Sequence, residues 1–236
     1  MLPSEGAVLH FRAALEKSNY FYPARSKFMF YLTKTPTLLK ALYKSCTWSL
    51  SPAKPAVYLT FDDGPHPEAT PFVLDQLRAA GAKGTFFCIG KNVQAYPEIY
   101  QRILEEGHAI GNHTQNHVNG WKVGTGAYVD NVMEARKYIQ GTLFRPPYGR
   151  ITPFQIKRLQ AAIPGVQIIM WDVLSGDFDT EIAGEQCLQN VVFKAVPGSI
   201  IVFHDSTKAW DRLSYALPRV LAFCKQKKWE MLAIPS

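Results

Sequence analysis

The sequence predicts an α/β fold in which a parallel sheet closes in barrel-like fashion, with helices between its strands. Two observations carry this. From residue 56 onward, short and continuously apolar runs alternate with longer amphipathic stretches. Runs that are apolar throughout belong to strands buried on both faces, the hallmark of parallel sheets covered by helices. The count supplies the second: about seven such units in 236 residues fit closure better than an open sheet.

Taken in order, residues 56–61 (AVYLTF) read as the first strand, and 68–80 as a helix stopped by Gly81. A strand at 84–90 and a helix at 97–106, ended by Gly107, follow. Residues 108–112 form a short strand, 128–140 a helix and 143–145 another short strand. Thr152 is placed to cap a helix over 153–162, with Pro153 at the first helical position. A strand at 166–171, a helix at 181–195 and a strand at 199–204 come next. The chain finishes with a helix over 213–226 and a strand over 229–234. There is no internal repeat and no low-complexity segment.

Residues 1–55 differ in character. Residues 1–28 have no clear period and read as a poorly structured extension, leader or upstream start, with Met29 just before a better patterned stretch. Residues 29–55 read as a helix and linker that pack on the barrel, the helix being 36–44 (PTLLKALYK). Lys40 and Lys44 share one face of it, so peripheral membrane contact is the alternative reading. Hydrophobic residues make up 47% and charged residues 19%, an ordinary globular balance. No apolar run approaches the roughly 20 residues of a spanning helix. Glu5, His10, Arg12 and Glu16 interrupt the N-terminus, so no signal peptide is read. The default location is cytoplasmic, with cell-envelope association through the basic helix as the alternative. The net charge of +7 carries no long basic run and no nucleic-acid motif, so no nucleic-acid partner is expected. Cys46, Cys88, Cys187 and Cys224 are widely spaced and read as reduced packing residues.

The polar residues gather where strands end. After VYLTF come Asp62 and Asp63, then Gly64 and Pro65, which turn the chain at once. Adjacent carboxylates at an apolar strand mouth repel each other, and a metal or cationic partner resolves that; a turn or cap pair is the plainer alternative. His113 and His117 are spaced i, i+4, which on a helical turn places both on one face to hold one ion. Thr114 stands where a zinc protease motif has its glutamate, so a base must come from Asp62 or Asp63. In RPPYG, two prolines stiffen the loop while Tyr148 and Gly149 keep their N–H groups, which suits an oxyanion donor. Arg145 offers a permanent cation to a carboxylate. Trp171-Asp172 with Ser175-Gly176-Asp177-Phe178, and His204 after IIVF, complete five clusters that packing alone explains poorly. His66 and His108 read as structural or exposed.

TFDDGP at 60–65, HTQNH at 113–117, RPPYG at 145–149 and VFHD at 202–205 resemble the polysaccharide deacetylase family, carbohydrate esterase family 4. The resemblance spans roughly residues 55–235, so residues 56–236 form the deacetylase domain. It implies a distorted (β/α)7 barrel, a single domain with an N-terminal extension. It further implies that Asp62 is the catalytic base and that Asp63, His113 and His117 are the metal ligands. Arg145 orients the base, Tyr148 supplies the oxyanion N–H, and His204 is the general acid held by Asp177. Phe178 and Val202 line the pocket for the acetyl methyl. One divalent ion is implied, Zn2+ first, with Co2+, Ni2+ or Mn2+ as substitutes. The reaction implied is removal of N-acetyl groups from an amino-sugar glycan with release of acetate. The alternatives are an O-acetyl esterase and an inactive carbohydrate-binding member. One motif departs from the family: Leu174, Phe178 and Glu181 replace an aspartate, a tryptophan and an arginine, leaving Asp177 in place.

Overall fold

A computed structural model describes residues 31–235. The expectations for residues 1–28, His10 included, lie outside the described residues.

Strand β2, Ala56–Asp62, is buried at every position, as its unbroken apolar run requires. It pairs in parallel with β3 (Gly84–Cys88) and β8 (Ile200–His204), and β9 (Glu230–Met231) joins its N-terminal end. Beyond β3 lie β4 (Ala109–Asn112), β5 (Leu143–Phe144), β6 (Gln167–Ile169) and β1 (Cys46–Thr47); β7 (Val173–Leu174) lies beyond β8. Every ladder is parallel. The sheet does not close by a ladder. The chain crosses the gap between β6 and β7 in one extended stretch, where Met170 N donates to Thr47 O (2.8 Å) and Asp172 N to Ile200 O (3.0 Å). This is the distortion of the expected barrel: a curled parallel sheet, stitched shut by three residues.

Register sets the site. Asp62 lies opposite Phe87 on one side and His204 on the other, and Asn112 lies opposite Phe144. The residues that follow these pairs leave the sheet together, so polar side chains from several strands meet at one rim.

The helices are α1 Thr37–Leu42, α2 Ala69–Ala80, α3 Gly90–Ala95, α4 Pro97–Glu105, α5 Thr125–Ala135, α6 Pro153–Ala162, α7 Gly184–Val192 and α8 Trp210–Gln226. Thr152 and Gln155 form the capping box of α6, as that sequence predicts. The largest core cluster packs α2, α7 and α8 against β2, β3 and β8 around Leu59, Phe61, Phe86 and Phe203. A second lies under α5 and α6 and takes in Cys46 and Trp48 from the segment before the barrel. All four cysteines are free and buried.

Three elements were not foreseen: α3, β1 and β7. The expected helix at 128–140 begins and ends earlier, and the strand expected at 166–171 is shorter because 170–172 forms the crossing. The preceding segment is tied to that crossing. Residues around Lys34 bridge Val173 in antiparallel fashion, and Lys34 and Lys40 both reach Asp172 (2.6 and 2.5 Å). Ser199 donates to the same carboxylate (2.6 Å). Asp172, expected at the site, is instead the buried anchor of this segment. Among the described residues, no helix is long and apolar enough to cross a membrane.

Candidate active site

Asp62 and Asp63 end β2, and the turn after them is built to close tolerance. Gly64 N donates to Asp205 Oδ1 (3.0 Å), and Thr70 Oγ1 donates to Asp205 Oδ2 (2.5 Å). A Cβ at Gly64 would lie 2.0 Å from Asp205 Oδ2, so only glycine fits there. From α3, the Asn92 amide donates to Asp63 O (2.7 Å), and Ile89 N donates to Gly64 O (2.9 Å). Burial lifts the Asp205 carboxyl to about 8, further raised by Asp63 and opposed by the Thr70 and Gly64 hydrogen bonds.

His113 and His117 do not share a helical face. Thr114 and His117 both have left-handed backbone, at φ 66° and 54°. Two asparagines shape the loop: Asn112 Oδ1 accepts from Thr114 N (2.8 Å), and Asn131 Oδ1 from Gln115 N (3.0 Å) and Asn116 N (3.1 Å). The two rings still come within 5.1 Å of each other. Asp63 and Tyr148 are left-handed too, at φ 85° and 60°. Among the described non-glycine residues only Lys228 shares this feature outside the site. Backbone strain of this kind, about 1–3 kcal/mol per residue, is held by the surrounding hydrogen bonds and collects at working sites.

The ligating atoms of Asp63, His113 and His117 all lie within 4.8 Å of one another. Their chemistry fits a cation. His113 Nδ1–H donates to Arg145 O (2.8 Å), leaving Nε2 as the lone-pair nitrogen. Burial pushes this imidazole down to about 4, against the pull of Asp62, so it is neutral. Asp63 Oδ1 is buried without a hydrogen-bond partner, although His117 Nε2 stands 3.2 Å away. Burial raises the Asp63 carboxyl, but the His117 contact and the charge of His204 outweigh it and hold the group below the ordinary carboxylate range. An orphaned carboxylate oxygen facing two imidazoles suits a divalent ion with N/O ligands and room for more.

Arg145 is fully buried, and each of its three side-chain nitrogens donates. Nη1 reaches Asp62 Oδ1 (2.6 Å) and Thr60 Oγ1 (2.7 Å), Nη2 reaches Met170 O (3.0 Å), and Nε reaches Ile169 O (3.3 Å). Its guanidinium also lies 4.0 Å over the Phe87 ring. Asp62 Oδ2 is left without a hydrogen bond among the described residues. Tyr148 lies in the turn Pro147–Gly149 with its ring 4.6 Å from that of His117. Gly149 N and Arg150 N donate to Pro146 O and Pro147 O, while the Tyr148 amide has no acceptor among the described residues.

His204 ends β8 under a two-point clamp. Asp177 Oδ1 accepts from Nδ1 (2.7 Å) and Oδ2 from the His204 backbone N (2.6 Å). Asp177 is itself fully buried, its carbonyl accepting from Arg212 Nε (2.8 Å). Val202, two residues earlier, shares the face of His204 and is buried. Phe178 packs edge-on to His204 (5.3 Å), and Tyr31 packs against Phe178 (5.1 Å). Leu174 is buried and Glu181 exposed, so neither enters the polar cluster.

Residues 50–162 match the profile of the polysaccharide deacetylase family. A peptidoglycan-N-acetylglucosamine deacetylase of Bacillus cereus is 32% identical over 194 residues, 80% of this chain and 90% of that protein. The chain belongs to the polysaccharide deacetylase family. As a member it is a hydrolase of the deacetylase type. A chitooligosaccharide deacetylase of Azorhizobium caulinodans is 37% identical over 158 residues, 64% of this chain and 73% of that one. The fold agrees as well. The crystal structure of a peptidoglycan N-acetylglucosamine deacetylase with 4-naphthalen-1-yl-N-oxidanyl-benzamide superposes at TM-score 0.75 and 32% identity, covering 84% of this chain and 94% of that one.

Sequence reasoning named Asp62, Asp63, His113, His117, Arg145, Tyr148, Asp177 and His204, and these meet at one rim. It missed the supports. Asp205 stood inside the quoted VFHD motif without a role. Asn92 lies in α3, where the sequence reading assigns no element between the strand at 84–90 and the helix at 97–106. Tyr31 carries no signal of its own.

Proposed function

We propose that this chain is a metal-dependent N-deacetylase of amino-sugar glycans, releasing acetate and a free amine. The observation that carries this reading is the Asp177 clamp on His204, which makes the histidine a proton donor suited to an amide leaving group. Asp63, His113 and His117 are the residues that would hold a divalent ion, Zn2+ by donor chemistry, with Co2+, Ni2+ or Mn2+ as substitutes. When bound, that ion supplies Lewis acidity toward the acetyl carbonyl and toward water.

The chain's own residues do the rest. Asp62 accepts the proton of the attacking water through Oδ2, while Arg145 fixes Oδ1 and so the direction of the carboxylate. The free Tyr148 N–H donates to the oxyanion, and the strained turn holds it in place beforehand. His204 Nε2–H protonates the departing nitrogen, since Nδ1 is occupied by Asp177. Val202, Phe178 and Tyr31 wall the space for the acetyl methyl, with Tyr31 adding bulk where Phe178 is smaller than a tryptophan.

Acetate release from N-acetylglucosamine oligomers and from acetylxylan, before and after exhaustive chelation, tests the reading. Turnover of the amide substrate that is lost on chelation and restored by Zn2+ is expected. Turnover of the ester alone, or full activity without metal, overturns it.

A further inference from the structure

Helix α1 is the reverse of an ordinary surface helix. Leu38 and Leu42, four residues apart and so on one edge, are 72% and 71% exposed, and no residue of the helix is buried. Its lysine, Lys40, lies opposite that edge and turns inward to Asp172 (2.5 Å). A second apolar surface lies beside it. Phe193 is 79% exposed and borders a groove between α7 and α8 lined by Leu188, Phe223 and Trp229. Val196, three residues on, is exposed as well. Lys34 and Lys194 tie the two surfaces together: the Lys34 ammonium donates to Lys194 O (2.9 Å), and that of Lys194 to Thr33 Oγ1. Apolar side chains left open in this number mark a contact surface.

Charge and position identify what it meets. The segments that build it, 31–61, 186–204 and 212–229, hold ten Lys and Arg residues and not one Asp or Glu. Arg219 and Lys227 stand at the groove. With Lys225 and Lys228 they are exposed, and none of the four meets a carboxylate among the described residues. A second copy of the chain would set these cations against themselves. Residues 1–30 carry four basic residues against two acidic ones, so they too lack the complementary charge. The surface also lies at one end of the sheet. Helix α1 leads into β1, residues 193–199 into β8 and Trp229 into β9, all at N-terminal strand ends, whereas Asp62 and His204 stand at C-terminal ends. The geometry points to a docking face for an anionic lipid surface: Leu38, Leu42, Phe193 and Val196 enter the headgroup layer while Arg219 and Lys227 meet lipid phosphates. Docked by this face, the protein holds its polar rim away from the lipid. The inference stands apart from the deacetylase reading.

The test mixes the full chain with vesicles of phosphatidylcholine alone, or of phosphatidylcholine with an equal part of phosphatidylglycerol, and reads partition by flotation. Binding to the anionic vesicles, weakened by added salt, is expected. No binding, or equal binding to both kinds of vesicle, overturns the proposal. Arg219→Gln with Lys227→Gln is expected to lower partition about thirtyfold, at about fivefold for each cation near an anionic surface. Phe193→Ser, and separately Leu38→Ser with Leu42→Ser, are each expected to lower it about tenfold or more. The melting temperature should stay at the wild-type value in all three variants, because the altered side chains are exposed. Binding that any of them retains at wild-type strength puts the lipid contact elsewhere, residues 1–30 included, and overturns the face. Self-association that Phe193→Ser abolishes, without lipid binding, assigns the face to a second copy and overturns the proposal equally.

Discussion

His204 shows how one carboxylate converts a half-buried imidazole into an acid. Burial alone pushes the ring down; Asp177 at Nδ1, with Asp63 and Asp62 behind it, overcomes this and lifts His204 to about 9. The imidazolium is therefore the neutral-pH form, with Nε2–H free to leave. Amide hydrolysis is expected to fall on the alkaline side as pH rises through about 9. In Asp177→Asn that limb should move down toward the ordinary histidine value of about 6.5, read from kcat/KM against pH. The same shift enters stability. A folded value above the unfolded one contributes stability that is complete below about 6.5 and is lost as pH rises through about 9, so the melting advantage of wild type over Asp177→Asn should shrink across that window. The two aspartates of β2 separate in a similar way. Asp62→Asn should keep the metal and lose turnover, whereas Asp63→Asn should lose the metal; metal analysis beside acetate release distinguishes them. Asp62→Asn also strips the fully buried Arg145 of its countercharge, and a stability loss of about 3 kcal/mol is expected. Equal metal loss in both variants would reverse the division of roles.

The segment before the barrel is held by charge as well as by packing. Asp172 is buried under Lys34, Lys40 and Ser199, while the two lysines remain partly exposed. Lys34→Ala with Lys40→Ala leaves that carboxylate with one partner, and a loss of about 1–3 kcal/mol in unfolding free energy is expected, discounted for solvent around the lysines. A denaturant midpoint equal to wild type would show the pairs to be inert. This arrangement also marks where the sequence was illegible. Lys40 and Lys44 looked like one face of a surface helix, because a lysine reaching a buried aspartate 132 positions away leaves no local pattern. Strands β1 and β7 have two residues each, too few for any period. Helix α3 follows β3 after Ile89 alone and is only six residues long, so its first residue, Gly90, falls within the strand expected at 84–90 and the rest shows no period. The HTQNH loop misled in the opposite sense: its spacing is helical, but side chains of Asn112 and Asn131 draw it into left-handed turns. Where the pattern was long and regular, as in β2, α2 and α6, sequence and structure agree within a residue.

Across the whole chain, alternation of strand and helix was readable because a two-face-buried strand leaves an unmistakable apolar run, and parallel pairing follows from the intervening helices. Closure was not readable in detail, since it depends on two backbone bonds, Met170 N donating to Thr47 O of β1 and Asp172 N to Ile200 O of β8. The polar rim was readable because chemistry at strand ends interrupts apolar runs with residues that burial disfavours. Its supports were not, since Asp205, Asn92 and Tyr31 act through contacts distant in sequence. The account stands or falls on the combination of the Asp63, His113 and His117 cluster with a protonated His204. An amide needs its nitrogen protonated on departure, whereas an activated aryl acetate does not. The most direct measurement is the turnover of both substrates by zinc-loaded wild type and His204→Ala. The account predicts that His204→Ala cuts amide hydrolysis by roughly 10²–10⁴-fold, with a much smaller loss on the aryl ester and with metal content and melting temperature unchanged. Equal loss on both substrates, with metal and fold intact, would contradict it.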